Sequence, residues 1–180
     1  EVINVCREKD IKLLIISNPC NPTSLGLGRE EVRRLITSVD ALVVLDEAYM
    51  DFWDQSLLSE FDQYDNLLIL RTCSKAFGGA ALRLGFAVGA LPLTNALKAV
   101  KSPYNLNSFT QAAGAALLRR KEESKAALAE ILVSKRELLD GIKALAERFP
   151  GEMEVFESDT NFVFIRTGKY AEIFQYMLEK

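Results

Sequence analysis

The chain has 180 residues, of which 49% are apolar, so it is long enough to bury a substantial hydrophobic core. Its 22 basic and 25 acidic residues leave a net charge of -3, which gives no electrostatic reason to expect nucleic acid or an anionic membrane surface as a partner and favours small-molecule chemistry. Because histidine is absent, Ser-His-Asp and Cys-His catalytic systems and histidine-bound metals are excluded, so any proton shuttle must be a carboxylate, lysine, tyrosine or cysteine.

Four short apolar segments predict the strands of one sheet. The first three are nearly continuous in leucine, isoleucine and valine, as expected of strands covered on both faces of a mostly parallel sheet. Between the first two, residues 28–39 carry apolar side chains at helical spacing, which predicts a crossover helix. The predicted fold class is therefore α/β, with a mostly parallel sheet and helices on both faces. The four predicted strands span residues 12–17, 41–47, 66–72 and 84–90.

The C-terminal part of the sequence predicts further helices and strand structure. A helix over residues 109–118 precedes a longer one over residues 121–149, which would extend about 40 Å and could bridge two domains. Residues 154–167 predict a strand with a central polar break, and residues 169–180 begin another helix. The chain is therefore expected to divide into units at 1–119, 120–149 and 150–180.

The cysteines and the apolar segments indicate the cellular setting. Three cysteines without CxxC spacing predict neither a disulfide framework nor a zinc cluster. No apolar run approaches the ~20 residues that a membrane span needs. We therefore expect a protein of the reducing cytoplasm that binds neither membrane nor nucleic acid.

Polar side chains follow each of the first three predicted strands at the point where the strand ends. In an open α/β sheet the ligand crevice lies at the carboxyl ends of the parallel strands, so these side chains are expected to converge. The motif "SNPCNPTS" follows the first strand, "DEAY" closes the second and "TCSK" closes the third. The residues expected at this crevice are Asn21, Asp46, Tyr49, Thr72, Ser74 and Lys75.

Lys75 is the candidate reactive group of the crevice. A lysine amine reacts with aldehydes and other carbonyl compounds, whereas most lysines are solvated surface charges. The glycines and alanines at positions 78–81 would let a ligand or another backbone segment approach closely. This context favours the reactive interpretation and leaves space for an aldehyde cofactor.

Two further charged residues each have a functional and a structural interpretation. Asp46 could take part in catalysis or could cap the next helix. The pair Asp46-Glu47 after an apolar strand also resembles the acidic motif of P-loop ATPases, but the GxxxxGK[ST] loop of those proteins does not occur in this sequence. Arg83 could hold a phosphate, with the hydroxyls of Thr72 and Ser74 as further donors, or could form a salt bridge to a carboxylate. A carbonyl-reactive lysine, a carboxylate and a phosphate clamp together describe a pyridoxal phosphate site.

Five motifs, in this order, resemble the fold-type I pyridoxal-phosphate enzymes and specifically the histidinol-phosphate aminotransferase family. They are "NPCNPTS", "LDEAYMDF", "RTCSKAFGGAALRLGFAVG", "SPYNLNSFTQAA" and "SDTNFVFIRTG". The resemblance extends over nearly the whole chain. It implies an enzyme that uses pyridoxal 5′-phosphate, transfers an amino group between histidinol phosphate and 2-oxoglutarate in histidine biosynthesis, and works as a homodimer.

The resemblance also implies a role for each matched residue. Lys75 would bond to the aldehyde of the cofactor and move the proton at the substrate Cα. Asp46 would pair with the protonated pyridine nitrogen and keep the ring an electron sink. Tyr49 and Asn21 would hydrogen-bond the oxygen on the ring.

Two further groups of residues follow from the same resemblance. The cofactor phosphate would be held by Thr72, Ser74 and Arg83. Tyr104 and Asn105 would form the rim of the active site near the neighbouring subunit. Both groups lie within the quoted motifs, so each implied role is assigned to one matched residue of this chain.

The chain departs from the family pattern at small residues. The family usually has glycine after "NPT", where this chain has Ser24, and Gly26 could supply the flexibility of that turn instead. The family usually has leucine and then glycine ahead of "LR", where this chain has Gly79 and Ala81. Gly79 and Ala81 are both small residues, and their effect on the approach of a cofactor is left open, as is the shape of the turn behind Asn21.

Family members are much longer than this chain. The upstream part would hold the phosphate-binding loop and the aromatic residue that stacks on the ring, and the downstream part would hold the arginine for the substrate carboxylate. Residues 1–119 are thus expected to be the C-terminal part of the large cofactor-binding domain, residues 120–149 a linking helix, and residues 150–180 the start of the small domain. The alternatives are a threonine-phosphate decarboxylase or another aminotransferase of the same fold, and a catalytically incomplete fragment.

Overall fold

Three parallel strands and one antiparallel strand form the main sheet of the computed structural model, which describes residues 1–180. Parallel pairing sets Ser17 opposite Asp46 and Asp46 opposite Leu70, so the strand ends that carry the polar motifs lie at one edge of the sheet. The predicted α/β class with a mostly parallel sheet is thereby confirmed. In spatial order the strands are β1 (Leu13–Ser17), β2 (Leu42–Asp46), β3 (Leu67–Thr72) and β4 (Gly85–Gly89).

The last strand, β4, runs antiparallel to β3, with Thr72 opposite Gly85. The chain returns directly through residues 73–84, without the long crossover that a parallel neighbour requires. Lys75 lies at the start of this connection and Arg83 at its end. The reversal therefore brings a lysine and an arginine to the same edge of the sheet as the end of β2.

Two helices, α1 (Val2–Glu8) and α2 (Arg29–Ser38), cover one face of the sheet. On the other face, Leu13 and Ile15 of β1 are 51% and 65% exposed, so the helical cover predicted for both faces does not extend over these two residues. The buried core between the helices and the sheet consists of Cys6, Val32, Leu35, Ile36, Val39, Ala41, Val43, Leu45, Leu57, Leu67 and Ile69.

Helices α3 (Leu91–Val100) and α4 (Ser108–Arg119) follow the sheet. α3 has no counterpart among the predicted elements; a proline in its first turn starts it, as proline often does at helix N-termini. α4 is capped by Asn107, whose side-chain oxygen accepts a hydrogen bond from the amide of Thr110 at 2.8 Å. None of the helices combines the length and the apolar composition that a bilayer crossing requires.

The long helix α5 spans Lys121–Glu147, 27 residues, or about 40 Å. Leu139 is its one buried residue, whereas Leu138 and Leu145 are 52% and 41% exposed. The apolar side of α5 is therefore packed along part of its length. Whether this helix separates two domains, as the division at 120–149 proposes, stays a prediction.

The strand expected over residues 154–167 is instead two short antiparallel strands, β5 (Met153–Val155) and β6 (Ile165–Thr167), with Val155 opposite Ile165. The polar residues between β5 and β6 do not continue the strand pairing because their side chains form hydrogen bonds with nearby backbone groups. The hydroxyl of Thr160, for example, donates to the carbonyl of Phe162 at 3.1 Å. Helix α6 (Tyr170–Leu178) follows β6.

Candidate active site

A cavity of about 420 Å³ opens at the carboxyl ends of β2 and β3. Its volume falls within the ~300–1,000 Å³ range of small-molecule sites. The sequence motifs that contribute to it come from the end of β2 and from both ends of the connection between β3 and β4. The predicted site residues that line this cavity are Asp46, Thr72, Ser74, Lys75 and Arg83.

The small residues after Lys75 close the loop that carries it. The amide of Gly79 donates to the carbonyl of Cys73 at 2.8 Å, and the amide of Cys73 donates to the carbonyl of Leu84 at 3.0 Å. A Cβ added to Gly79 would lie only 3.0 Å from the Cys73 carbonyl oxygen. Glycine at position 79 therefore permits two backbone segments to approach, which explains this one small residue without reference to a ligand.

Cys73 lies at the point where this loop closes, between two residues of the cavity wall. Its side chain is buried, and burial raises the pKa of its thiol. A raised pKa lowers the thiolate fraction at neutral pH, so the thiol is a weak nucleophile. Cys73 is therefore a packing residue beneath the cavity.

Three side chains give the cavity its capacity to bind an anion. Arg83 adopts a positive φ of 52°, and its guanidinium donates to the carbonyl of Ala80 at 3.1 Å. Arg83 makes no ion pair with a carboxylate, so the salt bridge considered from the sequence is not formed. The Thr72 hydroxyl oxygen accepts from the amide of Ser74 at 3.1 Å. Arg83, Thr72 and Ser74 thus line one cavity. The Thr72 hydroxyl itself donates to the carbonyl of Leu84 at 3.4 Å, and a guanidinium with hydroxyl donors is a set that can bind phosphate.

Tyr49 and Asn21 lie beside the cavity and contact each other. The side-chain amide of Asn21 donates to the hydroxyl of Tyr49 at 3.1 Å. The ammonium nitrogen of Lys75 lies 5.0 Å from the centre of the Tyr49 ring, within the range of a cation–π contact. Tyr49 is 7% exposed, so its ring is a fixed neighbour of the lysine.

Asp46 stabilises a local turn and also faces the cavity, while its chemical role stays a prediction. One of its carboxylate oxygens accepts a hydrogen bond from the amide of Ala48 at 3.0 Å, which stabilises the turn after β2. The same side chain lines the cavity that Lys75 lines. The local turn therefore holds a carboxylate at the cavity wall.

Tyr104 and Asn105 are not brought to this cavity. They line a different one, of about 640 Å³, together with Lys101 and Leu106. Tyr104 has a φ of 59° and is 96% exposed, so no part of this chain covers its ring. Their predicted role at the rim of the site stays a prediction.

A buried ionic network that includes Arg71, a residue of the cavity wall, was missed by the sequence analysis. Glu47, 1% exposed, accepts hydrogen bonds from Arg71 at 3.0 Å and from the hydroxyl of Ser56 at 2.6 Å. Arg71 also pairs with Asp51. Burial raises the pKa of Glu47, while its hydrogen bond with Ser56 and the charge of Arg71 oppose the rise. The available signal was a charge inside each apolar segment, at "LDE" and "LLILRT".

The side chains of the cavity fit pyridoxal 5′-phosphate, the cofactor that the resemblance implied. The phosphate needs a cation and hydroxyl donors, which Arg83, Thr72 and Ser74 supply. The aldehyde needs an amine, which Lys75 supplies, and the protonated ring nitrogen needs a carboxylate, which Asp46 supplies. All five line one cavity of a volume typical of a small-molecule site.

Comparison with known proteins agrees with this chemistry. The sequence pattern of the family "Aminotransferase class I and II" matches residues 1–180. A histidinol-phosphate aminotransferase of Clostridium kluyveri is 35% identical over 179 residues, which are 99% of this chain and 50% of that protein. The chain spans about half the length of the curated relatives it matches.

Two solved structures have the same fold. The histidinol-phosphate aminotransferase of Sinorhizobium meliloti, crystallised in complex with pyridoxal 5′-phosphate, superposes with a TM-score of 0.83 at 23% identity, covering 99% of this chain and 48% of that chain. The L-threonine-O-3-phosphate decarboxylase of Porphyromonas gingivalis gives a TM-score of 0.76 at 27% identity, covering 94% and 52%. Because the family pattern matches every residue, the chain belongs to the aminotransferase class I and II family, whose cofactor is pyridoxal 5′-phosphate.

Proposed function

We propose that this chain supplies the lysine, the carboxylate and part of the phosphate clamp of an aminotransferase site, and that the complete gene product transfers an amino group between histidinol phosphate and 2-oxoglutarate. The observation that carries the proposal is that Lys75, Asp46 and Arg83 line one cavity. The name of the Clostridium kluyveri relative supports the amino donor.

Each side chain has one task in this proposal. Lys75 holds the aldehyde end of the cofactor and moves a proton at the substrate Cα, because its amine is the basic group of the cavity wall. Asp46 pairs with the ring nitrogen and keeps it protonated. Arg83 and the hydroxyls of Thr72 and Ser74 hold the phosphate. When bound, pyridoxal phosphate supplies a conjugated ring that accepts the electron pair of the substrate Cα–H bond.

Tyr49 and Asn21 orient the ring in this proposal. The Tyr49 hydroxyl accepts from Asn21 and has its own proton left to donate. A phenol hydrogen bond to the oxygen on the ring would fix the ring against rotation. Tyr104 and Asn105 would complete the rim only in a homodimer, which we propose as the working form, in the cytoplasm.

A threonine-phosphate decarboxylase is the second candidate. It would use the same cofactor contacts, and the Porphyromonas gingivalis structure supports it as a fold relative at 27% identity. Both substrates carry an amine and a phosphate, so the residues described here do not separate them. Turnover of histidinol phosphate and of threonine phosphate by the complete gene product, measured side by side, distinguishes the two reactions.

The test of the half-site uses the 180-residue chain itself. The chain is mixed with pyridoxal phosphate, reduced with borohydride and digested, and the modified lysine is located by mass spectrometry. We expect modification at Lys75, its loss in Lys75→Ala, and no change in Lys98→Ala, which removes an exposed lysine of α3. Labelling spread evenly over surface lysines, or none at all, would favour the third candidate, a catalytically incomplete fragment.

The test of the activity uses the complete gene product. Lys75→Ala should lower transamination of histidinol phosphate by at least about 10²-fold, the smaller end of the range for removal of a general acid–base group. Lys98→Ala should leave the rate unchanged. Full activity in Lys75→Ala would refute the assignment of the catalytic lysine.

A further inference from the structure

Ser24 has a backbone conformation that suits glycine. Its φ is 64°, in the left-handed region that residues with a Cβ rarely adopt. Its side chain is nonetheless completely buried. A strained conformation of this kind persists when surrounding contacts hold it, so the contacts of the Ser24 side chain call for an explanation.

The Ser24 hydroxyl lies between two carbonyl oxygens. That of Thr23 is 2.5 Å away and that of Glu157 is 2.8 Å away, across a separation of 133 residues. Its single proton is shared between the two acceptors. A glycine would fit the backbone without strain but could not make the long-range contact.

Asp159 adds two more hydrogen bonds between the same segments. Its amide donates to the carbonyl of Ser24 at 2.8 Å. Its carboxylate accepts from the amide of Gly26 at 2.9 Å. Residues 24–26 and 157–159 are therefore joined by three hydrogen bonds that interlock, two through backbone groups of Ser24 and Gly26 and one through the serine hydroxyl.

Residues that lie three positions beyond each joined segment contact Tyr49. Asn21, ahead of the N-terminal segment, donates to the Tyr49 hydroxyl at 3.1 Å. Phe162, after the C-terminal segment, packs edge-on against the Tyr49 ring, with centroids 5.3 Å apart and an interplanar angle of 83°. The Lys75 ammonium lies on the same ring, 5.0 Å from its centre. The Tyr49 side chain thus has contacts with Asn21, Phe162 and Lys75.

We propose that Ser24 and Asp159 form a latch that holds residues 157–162 against the loop of Asn21 and thereby positions Tyr49 beside Lys75. Both are positioning residues, because neither lines the cavity itself. Lys135 supports the latch from α5 by donating to the carbonyl of Ser158 at 2.9 Å. The relevance of the latch to catalysis rests on the proposed function, since Tyr49 and Lys75 belong to the proposed cofactor site.

Hydrogen–deuterium exchange of the cofactor-free chain tests the latch. Asp159→Ala should increase exchange about tenfold in peptides covering residues 20–27, 157–162 and 47–53, because one hydrogen bond changes a local opening equilibrium by about that factor. Asp159→Asn keeps an acceptor oxygen and should restore the exchange of the parent chain. Asp140→Ala, an exposed aspartate of α5 without an ion pair, is the matched control.

Two substitutions of Ser24 separate strain from bonding. Ser24→Ala keeps the strained backbone and loses the hydroxyl, so it should increase exchange more than Ser24→Gly, which loses the hydroxyl and relieves the strain. The single tryptophan, Trp53, packs against Gly26 and gives a second signal for the same loop. Its emission should shift in Ser24→Ala and stay unchanged in Asp140→Ala.

The latch and the proposed function fail in different ways. If Asp159→Ala opens residues 157–162 but leaves residues 47–53 unchanged, Tyr49 is not positioned by the latch and the inference is overturned. Equal exchange for Asp159→Ala and Asp159→Asn would overturn the role of the acceptor oxygen. Absence of borohydride-fixed cofactor at Lys75 in the unsubstituted chain would instead count against the proposed function, and the exchange pattern would still decide the latch.

Discussion

Replacing Arg71 with methionine removes the only cation that contacts Glu47. The Glu47 side chain is 1% exposed and that of Arg71 is 17% exposed, so solvent screens their contact of 3.0 Å very little. Removing one partner of a buried ion pair costs about 3–5 kcal/mol because the other charge stays behind without compensation. Methionine preserves the apolar stem of Arg71, and Ser56 still donates to Glu47, so we expect a loss near the lower value, ~3 kcal/mol at pH 7.

The pH dependence of this loss is a sharper test than its size. Burial raises the pKa of Glu47, and removal of Arg71 takes away a charge that opposes the rise. A carboxyl group whose pKa is higher in the folded state than in the unfolded state destabilises the fold as pH rises from its unfolded pKa, about 4.3, to its folded pKa. Arg71→Met should therefore be closest to the parent chain near pH 4 and lose stability as the pH rises to 7.

Urea unfolding, followed by far-ultraviolet circular dichroism at several pH values, measures both effects. The double variant Arg71→Met/Glu47→Gln removes the buried charge of Glu47 but leaves Asp51 without Arg71, so it should recover only part of the loss at pH 7. Arg119→Met, at an exposed arginine of α4 without an ion pair, should change stability by less than about 0.5 kcal/mol. A loss below about 1 kcal/mol in Arg71→Met, or one independent of pH, would refute the reasoning.

Two further predictions follow from single contacts. Gly79→Ala should destabilise the fold by about 1–3 kcal/mol and reduce cofactor labelling of Lys75, because the new Cβ would meet the Cys73 carbonyl. In Gly141→Ala, in α5, the new Cβ meets no other atom, so this control should stabilise the fold by about 0.5–1 kcal/mol in the same urea experiment. A hydrogen bond from Arg33 lowers the pKa of Glu60, so the stability it contributes should be present above pH ~4.3 and lost as pH falls through the folded pKa. In Glu60→Gln that acid-side loss should disappear; an unchanged pH profile would contradict the assignment.

The strands and the site residues of this protein could be predicted because they are local patterns. Runs of leucine, isoleucine and valine bounded by polar residues specify strands by their own composition. Once three of them are parallel, their carboxyl ends share one edge, so Asp46, Thr72 and Lys75 converge wherever such a sheet forms. Asp46, Thr72, Ser74 and Lys75, which line the cavity, were expected at the crevice on this basis, and Arg83 was expected there because its guanidinium can hold a phosphate; their roles with a cofactor stay predictions.

The direction of β4 and the presence of α3 were harder to predict from the sequence. A strand of the composition of Gly85–Gly89 pairs equally well in either direction, and only the short connection after β3 decides for antiparallel pairing. α3 buries none of its residues and begins with a proline in its first turn; residues 91–100 were not assigned to any predicted element. Tyr104 and Asn105 matched a motif, yet in this chain they lie at a different cavity from Lys75.

The contacts that support the site were decided by tertiary structure alone. Glu47 contacts Arg71 because β2 and β3 are neighbouring strands. Ser24 contacts Glu157, 133 residues away in sequence, because residues 157–162 form a connection between β5 and β6 and do not pair as a strand. A charge inside an apolar segment marks Glu47 and Arg71 as unusual, but nothing local in the sequence shows that they pair with each other or that Ser24 pairs with Glu157. Their free energy comes from burial and from mutual hydrogen bonding, and both arise only when the chain has folded.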